Sequence, residues 1–164
     1  MIVRRLEDLV IWQLSTELEQ RVYAFTDQSP SKRDGDFCRD IRRSAASAPR
    51  NISEGFGRFW PTEFAPKLRI ARGELQETHD HLLKAIRVGY LSQEDARDML
   101  VLAKRALGGT TRLLAYFDRI GDSWKEEFFE RRRDSEAEPP QTEPPETEPP
   151  ETEPPETEPE RREP

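Results

Sequence analysis

A heptad repeat through the middle of the chain constrains the fold more than any other feature. Apolar or small residues alternate at spacings of 4 and 3 along two segments. They are Phe64, Leu68, Ala71, Leu75, Thr78, Leu82, Ala85 and Gly89, and then Ala96, Met99, Ala103, Ala106, Thr110, Leu113, Phe117 and Ile120. Because such spacing keeps side chains on one face of an α-helix, the segments predict long amphipathic helices over about 63–89 and 92–120.

Two shorter helices are predicted before these, over about 7–26 and 36–54. Their apolar positions again repeat at 3 or 4 residues: Ile11, Leu14, Leu18, Val22 and Phe25, then Phe37, Ile41, Ala45, Ala48 and Ile52. We expect Pro49 to kink the second helix, and Gly55 and Gly57 to end it. Ser92 and Asp95 resemble a capping box at the start of the fourth helix.

Four helices with short connections predict an all-α fold, an antiparallel up-down-up-down four-helix bundle. Many of the predicted core positions are alanine, so the helices can approach closely, and five of these alanines lie in the middle of the helices: Ala45, Ala48, Ala71, Ala103 and Ala106. Large side chains beside them are then left partly uncovered, with Tyr23 and Tyr116 among the candidates. Such a patch favours oligomerisation, and we predict an interface formed by Trp12, Phe56, Phe59 and Trp60.

The charge is divided unevenly along the chain, whose net charge is −7. Residues 134–164 hold 12 acids and 2 bases, whereas residues 1–133 hold 21 acids and 24 bases. From Glu138 the chain repeats Glu-Pro-Pro-Glu-Thr with one Gln variant, and has no apolar side chains to bury. We therefore predict a bundle over 1–133 and a disordered acidic, proline-rich C-terminal tail over 134–164. Its expected role is solubility, with screening of the basic body as the alternative.

The same sequence argues against a disulfide-bonded, a secreted or a membrane protein. The single cysteine, Cys38, cannot form an intrachain disulfide. No apolar run is long enough for a signal peptide or a membrane helix, so we expect a cytoplasmic protein without a membrane partner.

Arginines recur at helical spacing along the second and fourth helices. Such rows can follow the phosphates of a nucleic acid, although arginines on a solvated face often pair with nearby carboxylates instead. The predicted nucleic-acid-binding residues are Arg39, Arg42, Arg43, Arg50, Arg58, Arg105 and Arg112.

No arrangement of residues indicates catalysis. His79 and His81 point about 200° apart on a helix and cannot share one ion there, so no metal is expected. Cys38 has arginines nearby that can lower its pKa, but no histidine lies in its local sequence. The glycines at 55 and 57 lack the strand-to-helix context of a phosphate-binding loop. We therefore expect a non-enzymatic protein without a cofactor.

Three segments follow the pattern of a known family in order. They are Asp8-Leu9-Val10-Ile11-Trp12-Gln13, Ile41-Arg42-Arg43-Ser44-Ala45 and Pro49-Arg50-Asn51-Ile52-Ser53-Glu54-Gly55-Phe56-Gly57-Arg58. Glu63-Phe64, Ile70-Ala71-Arg72-Gly73-Glu74-Leu75 and Gly89-Tyr90-Leu91 continue it. The chain resembles, over about residues 6–117, the four-helix-bundle proteins encoded in intervening sequences of bacterial 23S rRNA.

This resemblance implies a non-catalytic homo-oligomeric ring, a homopentamer. The related accessory proteins of diversity-generating retroelements bind a reverse transcriptase and nucleic acid through a basic ring. Our leading hypothesis is therefore an oligomer that binds the backbone of RNA or DNA. The alternative is a protein-interaction scaffold that docks a partner such as a reverse transcriptase through exposed aromatic side chains.

Overall fold

A computed structural model describes residues 5–28, 30–58 and 60–120. It contains four α-helices: α1 (Val10–Thr26), α2 (Gly35–Gly57), α3 (Pro61–Arg87) and α4 (Gln93–Ile120). Short 3₁₀ turns at Leu6–Asp8 and Ser31–Arg33 precede α1 and α2. The described residues contain no strand, so the all-α prediction is confirmed.

The helices pack as a four-membered bundle around the predicted seams. Helix α1 packs on α2 and α4, and α3 packs on the same two helices. The heptad positions of α3 from Phe64 to Ala85 are all buried, as are those of α4 from Ala96 to Thr110. The five alanines predicted to lie in the core at the middle of the helices are all buried too, which explains how four helices of this length approach closely.

Helix α2 ends at Gly57, one of the two glycines at which the sequence predicted its end. It continues through Gly55 because this glycine lies beneath the Phe64 ring, where an added methyl group would collide with the ring. Gly55 thus serves close packing between α2 and α3 rather than helix termination. Pro49 is buried within α2, and the helix continues to Gly57 beyond it.

Capping side chains fix two of the chain reversals. The Ser92 hydroxyl accepts a 3.0 Å hydrogen bond from the Asp95 amide, so the first half of the predicted capping box is confirmed. The Asp95 carboxylate accepts a 2.6 Å bond from the same hydroxyl. Asp34 precedes α2 and accepts a 3.0 Å bond from the Phe37 amide. Its second oxygen accepts a 2.8 Å bond from the Tyr90 hydroxyl, which belongs to the α3–α4 connection.

The predicted tail, its boundary after residue 133 and Phe59 lie outside the described residues. No helix in the described part of the chain combines the length and the apolar character that crossing a membrane requires.

Candidate nucleic-acid interface

The most exposed arginines of α2 face carboxylates of the protein itself. Arg39 lies 2.9 Å from Asp36 and 3.7 Å from Asp40. Arg43 lies 3.4 Å from Glu77 of α3. These positions were predicted to bind nucleic acid, and the structure shows that each already has an acidic neighbour.

Arg42 performs a different task, because its side chain joins α2 to the end of α1. Its Nε donates a 2.7 Å hydrogen bond to Thr26 Oγ1, and its Nη2 donates a 2.7 Å bond to the Asp27 carboxylate. The guanidinium also lies over the Tyr23 ring, 5.1 Å from its centroid. Only 28% of the side chain is exposed, so a phosphate could engage it only by displacing these contacts.

Arg58, just beyond α2, belongs to a cluster around Glu54. Its guanidinium lies 2.7 Å from the Glu54 carboxylate, and Lys67 Nζ approaches the same oxygen at 2.8 Å. Hydrogen bonds from Lys67 and Arg58 hold the pKa of Glu54 below its ordinary value. Two cations thus share one carboxylate here.

Arg50 is the exception on α2, since no carboxylate of the described residues lies within 4.0 Å of it. It is exposed and acts at longer range on Glu19 of α1. Burial raises the pKa of Glu19, and the positive charge of Arg50 partly opposes that rise.

Helix α4 presents its cations without such partners. Among the described residues, no carboxylate lies within 4.0 Å of Lys104, Arg105 or Arg112. The segment from Met99 to Phe117 contains no acid at all. The nearest acids on either side of it are engaged by other helices, Asp98 by Arg21 of α1 and Asp118 by Arg69 of α3, both at 3.3 Å.

These three cations border a groove between α1 and α4 of about 560 Å³. Its α1 side is apolar, and none of its lining residues is acidic. The lining comprises Val10, Ile11, Leu14, Lys104, Arg105, Gly108, Gly109 and Arg112. A positive rim therefore lies beside an apolar wall, an arrangement suited to an anionic ligand that also has an apolar part.

The two adjacent glycines in the groove have separate roles. A methyl group on Gly109 would lie 2.6 Å from Ile11 Cγ2, so this glycine lets α1 and α4 pack closely. A methyl group on Gly108 would meet only the Arg112 guanidinium, at 3.4 Å. Gly109 therefore serves close packing of α1 on α4, whereas Gly108 leaves space at the groove floor.

Three of the predicted interface aromatics are partly exposed, and Phe59 lies outside the described residues. Trp12 and Phe56 are partly buried against the core cluster around Ile52 and Leu68, and Trp60 is partly buried at the start of α3. The more exposed large side chains include Val10, at 57%, and Val101 and Tyr116, both at 47%. An oligomer interface at the four predicted aromatics stays a prediction.

The candidate metal and thiol residues occupy enclosed positions. The His81 imidazole lies 3.5 Å from Glu77, whereas both nitrogens of His79 are buried without a hydrogen-bond partner. Within the described residues, no group of three or more His, Cys, Asp or Glu side chains is placed to hold a metal ion. Cys38 is buried, and burial raises the pKa of its thiol despite the opposing charge of Arg42.

Comparison with known proteins identifies the family. A family model described as 23S rRNA-intervening sequence protein matches residues 7–108, more than half of the chain. The chain belongs to this family. The matched residues include the segment from Pro49 to Arg58, the heptad positions of α3 and most residues that line the groove between α1 and α4. The match confirms the resemblance inferred from the sequence.

A solved structure agrees with the bundle. It is a protein of unknown function from the S23 ribosomal protein family of Bacteroides thetaiotaomicron, with a TM-score of 0.58 and 23% sequence identity. The similarity covers 63% of this chain and 97% of that chain, and at this identity it supports the fold alone. No curated protein sequence matches the chain.

Proposed function

We propose that this member of the 23S rRNA-intervening sequence family is a non-catalytic, cytoplasmic homo-oligomer that binds the backbone of nucleic acid through α4. The observation that carries the proposal is the set of cations without carboxylate neighbours at the groove, Lys104, Arg105 and Arg112. The family name refers to ribosomal RNA, which makes RNA the first probe to test.

A cation without an acidic neighbour gains more from a phosphate than a paired one. It exchanges only water and counterions for the phosphate, and the release of those counterions makes binding depend on salt. A paired arginine must first lose its own carboxylate contact, as Arg39 and Arg43 would. The same number of arginines therefore supports tighter binding on α4 than on α2.

A ring of subunits, a pentamer in our proposal, strengthens this effect. Each copy adds another α4 surface to the same particle, so several weak backbone contacts on one RNA act together. Absence of catalysis belongs to the proposal because the chain's one thiol is buried with a raised pKa, which opposes a nucleophilic role.

The test compares two triple variants that remove the same charge. K104Q/R105Q/R112Q alters the groove, whereas R39Q/R43Q/R58Q alters the paired arginines near α2. Binding of a fluorescent hairpin from 23S rRNA is measured from 50 to 300 mM salt, roughly the range over which counterion release is resolved. We expect the groove variant to lower the slope of log affinity against log salt by about 2, and the α2 variant to change it by less than about 1.

Two controls complete this experiment. Circular dichroism must show that both variants keep the helical content of the parent. Deletion of residues 134–164 removes a net charge of −10 and should raise RNA affinity. A salt-independent affinity of the shortened protein, or equal losses in the two triple variants, would contradict the proposal.

A protein-interaction scaffold is the second candidate. Val101 and Tyr116 of α4 are each 47% exposed and offer apolar anchors for a partner such as a reverse transcriptase. Under this alternative Val101→Asp abolishes capture of the purified partner while the groove triple variant retains it. The reverse ranking supports nucleic-acid binding.

A further inference from the structure

We propose that the α1–α4 groove selects single-stranded nucleic acid, holding phosphates on its cations and an unpaired base on Tyr116. This inference rests on the proposed function and specifies the class of ligand at the same surface. The inference is based on the apolar and aromatic side chains beside the cations. Binding of the nucleic-acid backbone alone would not use these side chains.

The apolar wall of the groove is the first observation. Val10 is 57% exposed and lines the groove together with Ile11 and Leu14. A duplex keeps the faces of its bases stacked inside, so it can offer mainly phosphates and sugars to this wall. An unpaired base can place its ring against the wall while its phosphates remain within reach of Arg105 and Arg112.

Tyr116 supplies the second observation. It follows Arg105 and Arg112 at spacings of 11 and 4 residues, so the three side chains project from the same side of α4. The ring is 47% exposed although it contacts Phe117, with ring centroids 5.9 Å apart. The Arg119 guanidinium lies 5.9 Å from the ring centroid. A ring supported in this way presents a face on which a base can stack.

The order of groups along α4 also fits a single strand. Val101, Arg105, Arg112 and Tyr116 succeed one another over about 22 Å of helix, at 1.5 Å per residue. Two cations flanked by an apolar and an aromatic side chain combine the positive charge and the stacking surface with which proteins bind single strands without reading their sequence. Gly108 adds no side chain between the two arginines, so the strand can lie close to the helix.

The experiment measures binding of three 20-nucleotide probes to the full chain: single-stranded RNA, single-stranded DNA of the same sequence, and the RNA duplex. We expect the single-stranded RNA to bind at least about 10-fold more tightly than the duplex, since stacking is available only to unpaired bases. If the DNA strand binds as tightly as the RNA strand, the site recognises the backbone and the bases. If the RNA strand binds more tightly, the site also contacts the 2′-hydroxyl groups. Both outcomes support a single-strand site.

Tyrosine variants locate the base contact. Tyr116→Ala should weaken single-strand binding about 10-fold and leave duplex binding within about 2-fold, whereas Tyr116→Phe should retain both, because the ring persists. Tyr23→Ala is the matched control. That tyrosine is also exposed and also lies against an arginine, Arg42, but it belongs to α1 and not to the face of α4 that carries Arg105 and Arg112.

The outcomes separate this inference from the proposed function. Equal affinity for duplex and single strand, with both weakened by K104Q/R105Q/R112Q, overturns single-strand selection and leaves backbone binding standing. No change on removing Tyr116, with single-strand preference intact, overturns the stacking role. If the full chain binds none of the three probes in a salt-dependent manner, both proposals are overturned.

Discussion

Helices α2 and α4 both carry rows of cations, but the two rows differ in how many of their cations contact carboxylates of the protein. On α2, Arg39 and Arg43 face carboxylates, and Arg42 joins the helix to the end of α1. On α4, Arg105 and Arg112 have no carboxylate within 4.0 Å among the described residues and border an apolar groove. The comparison teaches that helical spacing places arginines on a face, whereas their acidic neighbours decide what the face can bind.

The largest expected effect concerns stability. Arg42→Ala removes two hydrogen bonds involving a charged group and should lower the free energy of unfolding by about 2 kcal/mol. Arg105→Ala, on the exposed α4 surface, should change it by less than about 0.5 kcal/mol. Urea denaturation followed by circular dichroism measures both. Equal losses in the two variants would remove the distinction between structural and unengaged arginines.

A smaller effect is expected when the paired cations are released. The double variant E54Q/E77Q removes the carboxylate partners of Arg43 and Lys67 and leaves Arg58 with only the more distant Glu63, at 3.9 Å. We expect RNA affinity at low salt to rise about 3-fold, because a charge pair at this separation contributes about 1 kcal/mol in water. The control E74Q/E94Q makes the same change in net charge, but neither carboxylate lies within 4.0 Å of a cation among the described residues, so it releases none. A rise of the same size in the control would assign the effect to net charge alone.

The smallest expected effect is a change in acid sensitivity. Hydrogen bonds lower the pKa of Asp34 and of Glu54 below their ordinary values of 3.8 and 4.5. Their stabilising contributions are therefore complete above those values and disappear as the pH falls through the lowered pKa values. Thermal melting between pH 7 and pH 2.5 should show a smaller loss of Tm in D34N and E54Q than in the parent. The Tm of Arg105→Gln should change with pH in the same way as the Tm of the parent. A different pH dependence would contradict the absence of an acidic neighbour at Arg105.

Much of the fold could be predicted from the sequence because its determinants are local. The seams of α3 and α4 are periodic, and the Ser92 cap is formed by a residue three positions away. The end of α2 at Gly57 agrees with the prediction, whereas the packing of Gly55 beneath Phe64 of the next helix was not foreseen. That contact depends on how two helices meet, which spacing along one helix does not reveal.

The candidate site was only partly predictable for the same reason. The α4 arginines were identified by their spacing, but some of the partners that distinguish them from α2 arginines, such as that of Arg43, come from other helices. Arg43 meets a carboxylate 34 residues away, and Asp98 is engaged by Arg21, 77 positions earlier. The groove itself requires α1 beside α4, so its apolar wall at Val10 has no signature within α4.

The Asp34 carboxylate, bonded to the Phe37 amide and to the Tyr90 hydroxyl, has a consequence for engineering. One side chain fastens both the first and the third interhelical connections, so neither can be lengthened without disturbing the other. Peptide insertions or new chain termini placed in either connection should therefore be tolerated poorly, whatever their own composition.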